Sequence, residues 1–333
     1  MTAVIILNWN GERLLAEYLP EVLRTTPPEA ARVIVADNGS TDGSVKLLKE
    51  RFPEVELWAF DNNFGFAGGY NRALAMAAAY DTVVLLNSDV APEAGWIEEL
   101  NAYMAAHPDT AACQPKILSR RRPEEFEYAG AAGGYIDCNG YPYCRGRIFS
   151  TCERDEGQYD SEADVFWASG ACLMVRRELY LQVGGLDEAF FAHMEEIDLC
   201  WRLQLAGYRI AAVPSARVRH LGGGSLPAEN PRKTYLNFRN NLLMLHKNLP
   251  DSSRGRKLFR RMVLDGVAWV RFVVSLDFAN ASAIFKAHRD FRKMRPAYTS
   301  HPSADLLDER AESRRNILAD YYLRGRKRFS SLR

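Results

Sequence analysis

Short apolar runs alternate with amphipathic segments along the N-terminal part of the chain. The apolar runs are residues 4–7, 33–36 and 82–86, and a shorter strand is predicted at residues 55–58. Segments of helical periodicity lie between them, at about residues 13–25, 42–51 and 71–79. Runs that are apolar throughout are typical of strands buried on both faces. The pattern therefore predicts an α/β fold with a mostly parallel central sheet and helices on both faces.

The pattern changes after Lys116 and again near Leu226. Residues 119–164 are rich in Gly, Tyr and charged side chains, and they predict an inserted hairpin or loop region. Helical signals dominate after a stretch of Gly and Pro residues that ends near residue 231. We therefore predict an α/β domain over residues 1–225 and a helical C-terminal region over residues 226–333. Pro92 is expected in the first turn of a helix.

The composition is that of an ordinary soluble globular protein, with 47% hydrophobic and 26% charged residues. The net charge of +1 hides an asymmetry, because residues 251–333 carry 19 Lys and Arg against nine Asp and Glu. A basic tail on an acidic body suggests contact with an anionic surface such as a membrane. Nucleic acid is not favoured as a partner, because the basic residues form no recognisable recognition module.

No targeting or membrane-spanning segment is apparent in the sequence. The first apolar run breaks at Asn8 and lacks a basic segment before it, and no window of about 18 uncharged apolar residues exists. The six cysteines show no C-x-x-C spacing. These features favour reduced thiols and a cytoplasmic protein.

Polar residues follow three of the predicted strands. The strand ends are Asn8-Trp9-Asn10, Asp37 and Asn87-Ser88-Asp89. Ligands bind at the carboxyl ends of strands in open parallel sheets, and an aromatic ring with amides and an acid could hold a nucleobase. Asp37 could instead be a helix cap or an Asx turn. Asp89 could bind a divalent cation together with a diphosphate, with His220 as a second ligand on a flexible loop or as a structural residue.

The Gly-rich segment at residues 62–71 contains Asn63 and Gly65 and leads into a helix. Its backbone could approach a phosphate closely. It matches neither the P-loop nor the G-x-G-x-x-G pattern. Tight packing of the helix on the sheet is the alternative interpretation.

The most informative segment is residues 190–202. It places Glu195, Glu196 and then Asp198 between a Phe pair and an amphipathic segment. Acidic groups crowded beside apolar bulk often include a general base with an altered pKa. The same carboxylates could simply favour the dipole at the N-terminus of a solvated helix.

Five motifs in order resemble family 2 glycosyltransferases of the GT-A fold, a Rossmann-like architecture, and look most like the rhamnosyltransferase-like branch that works on bacterial surface polysaccharides. The motifs are residues 4–10, 35–42, 63–67, 85–89 and 194–199. The similarity covers about residues 2–245. It implies an inverting, metal-dependent transfer of a sugar from a nucleoside-diphosphate donor to a hydroxyl of a glycan or lipid-linked acceptor.

The resemblance also implies roles for individual residues. Asp37 would contact the nucleobase, and Asp89, in a variant D-x-D motif, would hold Mg²⁺ or Mn²⁺ with His220. The nucleotide-binding set would be Asn8, Trp9, Asn10, Asp37, Asn63, Gly65, Asn87 and Ser88. The segment Glu195-Glu196 corresponds to the family's Glu-Asp pair, whose second member is the general base. Glu196 carries an extra methylene compared with Asp, so Glu195 or Asp198 could act instead; we predict Glu196 as the base and Glu195 as an orienting contact.

The acceptor half is less defined. Trp167, Ser169, Gly170 and Asp198 are predicted to line the acceptor site, although residues 167–172 could equally be a buried entry to a strand. The tyrosines of the insert could stack on sugars or form a small satellite core. Residues 256–295 mix apolar and basic side chains, which suits a helix in the membrane interface at the inner face of the cell membrane. A core-packing helix hairpin or a homodimer contact is the alternative.

Two other functions fit parts of the pattern. A sugar-nucleotide nucleotidyltransferase would need a basic Gly-rich loop after the first strand, and Asn8-Trp9-Asn10-Gly11 has none. A catalytically silent module that binds glycan would not need Asp37, Asp89, Glu196 and His220 together.

Overall fold

The computed structural model describes residues 1–222, 230–299 and 301–332. Within these residues, nine strands form one mixed sheet and four form a smaller antiparallel sheet. The strands are β1 Thr2–Asn8, β2 Arg32–Asp37, β3 Glu56–Ala59, β4 Thr82–Leu86, β5 Val90–Pro92, β6 Thr110–Ser119, β7 Gly134–Ile136, β8 Pro142–Cys144, β9 Arg147–Ile148, β10 Thr151–Cys152, β11 Ala163–Asp164, β12 Cys172–Arg176 and β13 Arg209–His220.

The helices are α1 Glu12–Thr25, α2 Ser44–Arg51, α3 Gly65–Met76, α4 Trp96–Ala106, α5 Arg177–Gln182, α6 Glu195–Leu205, α7 Pro231–Asn248, α8 Asp251–Val274, α9 Phe278–Met294 and α10 Leu306–Glu309. None of the described helices combines the length and the apolar content that crossing a bilayer requires.

The large sheet has the strand order β11-β13-β6-β12-β4-β1-β2-β3, and β5 pairs with β13. Strands β3, β2, β1 and β4 are parallel to one another, and β12 runs antiparallel between β4 and β6. The sheet is therefore mixed rather than purely parallel. This order brings the ends of β1, β2, β4 and β13 and the start of β12 to one edge.

Both faces of this sheet are covered, as predicted from the apolar strands. Alternate side chains of β1 point to opposite sides: Ile5 joins the core formed with α3, α5, α6 and α7, whereas Ile6 joins the core formed with α1, α2 and α4. Such alternation is the consequence of the two-residue period of a strand. The prediction for Pro92 was wrong, because Pro92 ends β5 opposite Val218, and α4 begins at Trp96.

The insert forms the four-stranded sheet β7–β10 instead of a single hairpin or loop. Tyr135 and Tyr143 are buried in it, and the Tyr135 ring stacks on Phe329 with 5.7 Å between the centroids. These two tyrosines belong to a satellite core, whereas Tyr128 is half exposed. The aromatic content of the insert therefore mainly stabilises this subdomain.

The C-terminal region is helical, as predicted. Helix α7 begins at Pro231, and the Asn230 side chain accepts a hydrogen bond from the backbone N–H of Arg232 at 2.9 Å. This cap and the proline at the first helical position are the expected signals of a helix start. Helix α7 joins the main core through Leu242 and Leu245. The boundary predicted near Leu226 lies outside the described residues.

Candidate active site

The ends of β1 and β2 are joined by side chains at the edge of the sheet. Asn8 donates hydrogen bonds from Nδ2 to Asp37 Oδ1 at 2.8 Å and to Ser40 Oγ at 3.2 Å. The other Asp37 oxygen accepts from the backbone N–H of Ser40 at 2.9 Å. Asn10 Oδ1 accepts from the backbone N–H of Thr41 at 2.8 Å. The Asp37 side chain thus holds the turn that follows β2. Trp9 is 56% exposed at the same edge.

Asn38 connects this edge to the Gly-rich segment, and the sequence analysis did not single it out. Its Nδ2 donates to Asn63 Oδ1 and to the carbonyl oxygen of Gly65, each at 3.0 Å. Gly65 has φ 72°, a left-handed conformation that favours glycine. A Cβ on Gly69 would lie 2.7 Å from Leu7 Cδ1, so small residues here allow α3 to pack tightly on β1. Tight packing therefore accounts for Gly69, while the roles predicted for Asn63 and Gly65 stay predictions.

Asp89 and His220 meet where β5 pairs with the end of β13. His220 Nε2 lies 3.1 Å from Asp89 Oδ1, and Nδ1 lies 3.3 Å from a Glu127 oxygen. His220 ends a strand and is 5% exposed, so the expectation of a flexible loop was wrong for this residue. Burial alone would lower the pKa of His220, but the two carboxylates outweigh it and raise the pKa to about 10. The hydrogen bond with His220 holds the pKa of the Asp89 carboxyl low despite its burial.

The donor atoms around Asp89 suit a divalent cation with few protein ligands. A carboxylate oxygen and an imidazole nitrogen face each other, and Glu127 contacts the remaining nitrogen of His220, as carboxylates often do for metal-binding histidines. Within the described residues, no group of three or more His, Cys, Asp or Glu side chains is arranged to hold a metal. The protein therefore offers Asp89 and, once it has released its proton to the solvent or a base, His220. A diphosphate and water would have to complete the coordination.

Helix α6 begins at the carboxylate pair, so the prediction of a helix N-terminus is correct. Glu195 is only 5% exposed, so this N-terminus is not a solvated one. Burial raises the pKa of both Glu195 and Glu196, and the charge of Glu196 raises that of Glu195 further. Each has one buried oxygen without a hydrogen-bond partner in the protein. Glu196 is the more exposed of the two.

Gly170 connects the carboxylate pair to the donor side of the edge. A Cβ on Gly170 would lie 3.7 Å from Glu196 Cβ, and the Gly170 backbone N–H helps to lower the Glu196 pKa against the effect of burial. The next residue, Ala171, accepts a hydrogen bond from the backbone N–H of Asn87 at 3.0 Å. Glu196 therefore lies beside Gly170, and the residue after Gly170 pairs with Asn87, the first residue of Asn87-Ser88-Asp89.

The loop before α6 has an unusual backbone. Phe191, His193 and Met194 have φ values of 66°, 70° and 74°, which side-chain-bearing residues rarely adopt. Asn240 of α7 donates from Nδ2 to the carbonyl oxygens of Phe190, Ala192 and His193 at 2.8–2.9 Å.

Arg239, next to Asn240, adds hydrogen bonds to the carbonyl oxygens of Ala189 and Phe190 at 2.9 and 3.0 Å. Helix α7 thus fixes the conformation of the loop that precedes the carboxylates.

Asp198 does not lie at an acceptor surface, contrary to the prediction. It is fully buried, and its oxygens bind Arg202 at 2.8 Å, Lys247 at 3.0 Å and Asn248 at 2.7 Å. Burial would raise the Asp198 pKa, but the two cations and the Asn248 amide lower it below its usual value. Every oxygen is engaged, so Asp198 joins α6 to α7.

Trp167 and Ser169 are also buried rather than open to an acceptor. Trp167 is 2% exposed and donates from Nε1 to the Tyr135 carbonyl oxygen at 2.9 Å. Ser169 is 1% exposed and donates to the Ala129 carbonyl oxygen at 2.6 Å. For these two residues the buried strand entry is the correct interpretation. Of the four predicted acceptor residues, Gly170 lies beside Glu196.

Sequence reasoning missed Asn38, Glu127, Arg239 and Asn240. Asn38 directly follows Asp37 in a motif that was recognised, so its position was a usable signal. Glu127, Arg239 and Asn240 lie far along the chain from the residues they contact. No local pattern marks such contacts.

The fold is that of an α/β protein with a mixed sheet, and acidic side chains lie at the strand ends along one edge. Residues 3–184, more than half of the chain, match the family described as glycosyl transferase family 2. The chain therefore belongs to glycosyl transferase family 2, as its motifs predicted.

One curated relative is an N-acetylglucosaminyl-diphospho-decaprenol L-rhamnosyltransferase from Mycobacterium tuberculosis. It is 36% identical over 205 residues, which are 56% of this chain and 66% of the relative. The match thus spans just under two thirds of the length of that relative. The chain is similar to a rhamnosyltransferase, in agreement with the predicted branch.

Two solved structures support the fold. Staphylococcus aureus TarS 1–349 in complex with UDP-GlcNAc has a TM-score of 0.57 at 14% identity, covering 87% of this chain and 80% of that one. The mannosyltransferase PcManGT from Pyrobaculum calidifontis, in complex with GDP-Man and Mn²⁺, has a TM-score of 0.51 at 18% identity, covering 99% and 84%. The predicted α/β fold with a C-terminal helical region is confirmed.

Proposed function

We propose that this protein is an inverting glycosyltransferase that moves a sugar from a nucleoside-diphosphate donor to a hydroxyl group in polysaccharide synthesis. The observation that carries the proposal is the convergence at one edge of the sheet of Asp37, Asp89 with His220, and Glu196. Family membership and the similarity to a rhamnosyltransferase support the same reaction class.

The donor half comprises the ends of β1, β2 and β4. Asp37, Asn8 and Asn10 are already held by hydrogen bonds, and the exposed ring of Trp9 offers a flat surface to a nucleobase. Asn63, Gly65, Asn87 and Ser88 complete the proposed nucleotide-binding set. Two structural neighbours hold UDP-GlcNAc and GDP-Man, which supports a nucleotide sugar as donor.

A divalent cation, Mg²⁺ or Mn²⁺, is proposed at Asp89 and His220. Mn²⁺ in the mannosyltransferase structure supports the choice of a divalent ion. When bound, the cation would stabilise the charge that develops on the leaving diphosphate. Asp89 is held ionised, and Glu127 orients the His220 ring.

Glu196 is the proposed general base. It is the more exposed member of the carboxylate pair, and it contacts Gly170 at the edge that carries Asp89. It would take the proton of the attacking hydroxyl, which contributes about 10²–10⁴ in rate. Glu195 is more deeply buried and would orient the Glu196 side chain. Attack by the deprotonated hydroxyl on the side opposite the diphosphate inverts the anomeric centre.

A donor screen tests this function. Purified protein is incubated with Mn²⁺ or Mg²⁺ and a panel of UDP-, GDP- and dTDP-sugars, and nucleoside-diphosphate release is measured. We expect release with one class of donor and its loss in Asp89→Ala. The failure of every nucleotide to bind would contradict the proposal and favour a catalytically silent module. Pyrophosphate-dependent formation of a sugar nucleotide would instead identify a nucleotidyltransferase.

We further propose that the C-terminal helices contact the inner face of the cell membrane, near a glycan or lipid-linked acceptor. One face of α8 packs on the protein, but Phe259, Val263, Val267, Val270 and Val274 are 52–76% exposed. Their spacing places them along one side of the helix. Arg256, Arg260 and Arg271 of the same helix supply positive charge. An apolar face with basic neighbours suits a membrane interface.

Vesicle co-sedimentation tests this contact. The protein should bind vesicles that contain phosphatidylglycerol, and the triple substitution Val263→Ser, Val267→Ser and Val270→Ser should weaken binding. Substituting the exposed Met76 by Ser is a control on another surface. If the substituted protein binds vesicles as the unchanged protein does but no longer forms a dimer in sedimentation velocity, the face is a homodimer contact instead.

A further inference from the structure

A groove between α7 and α9 opens beside the loop that precedes the carboxylate pair. Its volume is about 530 Å³, and Phe191 of the loop forms part of its wall. Phe191 is 44% exposed and lies four residues before Glu195. The groove is therefore adjacent to the proposed acceptor half of the site, and it is not made of the residues assigned to the donor.

The groove carries two cations, Arg232 and Lys286, and the described residues include no acidic partner for either. The guanidinium of Arg232 lies 4.9 Å from the centre of the Phe191 ring, and the Lys286 ammonium lies 5.0 Å from the centre of the Tyr235 ring. In the described part of the chain, no carboxylate lies within ion-pair distance of either residue. The nearby acid Asp290 accepts a hydrogen bond from the Tyr235 hydroxyl at 3.0 Å. Together with the N-terminus of α7, these cations favour an anion.

Apart from Arg239 and Ser282, the rest of the groove is apolar or aromatic. Leu236, Ala279 and Ala283 line it, and the small side chains of α9 leave it open. Outside the groove, Phe278 and Phe285 of the same helix are 61% and 68% exposed. A ligand with an anionic head and an apolar chain would match both parts, because the head would meet Arg232 and Lys286 while the chain follows α9 toward the exposed face of α8.

We propose that this groove binds the phosphate-bearing head of the lipid that carries the acceptor sugar. The proposal rests on the proposed function, since it names the substrate class of the acceptor half. A groove of about 530 Å³ beside the loop that precedes Glu195 suits the head of a single substrate lipid better than the bulk bilayer. Binding there would present the attached sugar to Glu196.

Direct binding to the full-length protein tests the site. The probe is farnesyl diphosphate, used with EDTA and excess UDP so that the donor site does not contribute. Farnesol, which has the apolar chain without the anionic head, and inorganic diphosphate, which has the anionic head without the chain, are the comparison ligands. We expect farnesyl diphosphate to bind more tightly than either, and the double substitution Arg232→Gln and Lys286→Gln to weaken it about tenfold or more. Arg292→Gln, an exposed position of α9 outside the groove, is the matched control.

The outcomes separate this proposal from the others. Equal affinity of the double variant and the unchanged protein for farnesyl diphosphate would overturn it, as would an equal loss in the Arg292→Gln control. If the double variant loses binding to phosphatidylglycerol vesicles but keeps farnesyl diphosphate, the cations serve the bulk membrane and the proposal is wrong. Nucleoside-diphosphate binding with Mn²⁺ is measured in parallel, and its absence would contradict the proposed function without touching the groove.

Discussion

The donor edge of the sheet and the loop that carries the carboxylate pair are held in different ways. At the donor edge, the hydrogen bond from Asn8 to Asp37 joins neighbouring strands whose positions the sheet already sets. At the loop, a strained backbone is held by side chains of α7 about 50 residues further along the chain. The donor edge is thus arranged by backbone pairing, whereas the loop depends on a few contacts that single substitutions can remove.

The largest effect is expected at the carboxylate pair. Glu196→Gln keeps the shape of the side chain but cannot accept a proton, so kcat should fall by about 10²–10⁴. Donor binding, measured by titration of the nucleoside diphosphate, should change little because Asp37 and Asp89 are intact.

Glu195→Gln is the matched control, because it removes a neighbouring carboxylate that is more deeply buried. It should reduce kcat less than Glu196→Gln does. The reverse order would assign the base to Glu195, and nearly unchanged kcat in both variants would separate the loop from catalysis altogether.

The second largest effect is expected for Asp198. Its substitution distinguishes a role in acceptor binding from a structural role. Asp198→Ala leaves Arg202 and Lys247 without this partner in the interior, which should lower the free energy of unfolding by about 3–5 kcal/mol. Urea unfolding measures the change. Asp109→Ala removes an exposed ion pair with Arg209, which water and salt screen, and should leave the free energy of unfolding nearly unchanged.

The pH dependence of this effect has a definite sign. Because Arg202 and Lys247 lower the Asp198 pKa in the folded protein, its stabilisation is complete above the unfolded pKa of about 3.9 and is lost as the pH falls through the lower folded value. The difference between the unchanged protein and Asp198→Ala should therefore shrink in acid. If Asp198→Ala instead keeps the stability of the unchanged protein and raises the KM for the acceptor, Asp198 contributes to acceptor binding as the sequence predicted.

The contrast also explains what the sequence could predict. Residues of the donor edge follow apolar strands directly, so a local pattern located Asn8, Asp37 and Asp89, and the strand order brought them to one edge. Family resemblance supplied the expected roles. The apolar runs predicted β1, β2, β3 and β4, but the antiparallel placement of β12 has no local signature.

The acceptor half was less predictable for a physical reason. Whether Trp167, Ser169 and Asp198 face a cleft or the interior depends on the elements that cover them, including the insert and α7. The hydrogen bonds of Asn240 depend on the position of α7, which is set by packing of its apolar side chains on the core. Residue type and spacing carry no information on such distant contacts.

A third, intermediate effect tests the role of α7. Asn240→Ala leaves three backbone carbonyl oxygens of the loop without that donor and should lower the free energy of unfolding by about 1–3 kcal/mol. Because those carbonyls precede Glu195, kcat should fall as well, even where the protein is fully folded. Steady-state kinetics at low temperature, combined with urea unfolding, measures both.

Asn241→Ala is the control for this effect. Asn241 is the next residue of the same helix, is equally buried, and donates instead to the Gly140 carbonyl oxygen at 2.6 Å. It should lose similar stability while the folded protein keeps its kcat. Equal losses of kcat in the two variants would mean that α7 supports the whole domain and not the loop in particular.

The smallest effect concerns the buried charge of Glu195. Burial and the neighbouring Glu196 raise its pKa in the folded protein. Above the unfolded pKa of about 4.3, the unfolded chain therefore releases this proton more readily than the folded protein, so stability falls as the pH rises toward the folded value. Glu195→Gln removes this penalty and should stabilise the protein by about 1 kcal/mol at pH 8.

The gain should be absent near pH 4, where Glu195 is protonated in the folded protein and largely so in the unfolded chain. Thermal unfolding of both proteins across this range measures it, and Glu54→Gln, at an exposed position, controls for the loss of one negative charge. A gain of the same size at pH 4 and pH 8 would show that Gln merely packs better. A loss of stability at pH 8 would mean that other groups compensate the Glu195 charge in the folded protein. The carboxylates of the loop would then be as fully hydrogen-bonded or ion-paired as the side chains of the donor edge.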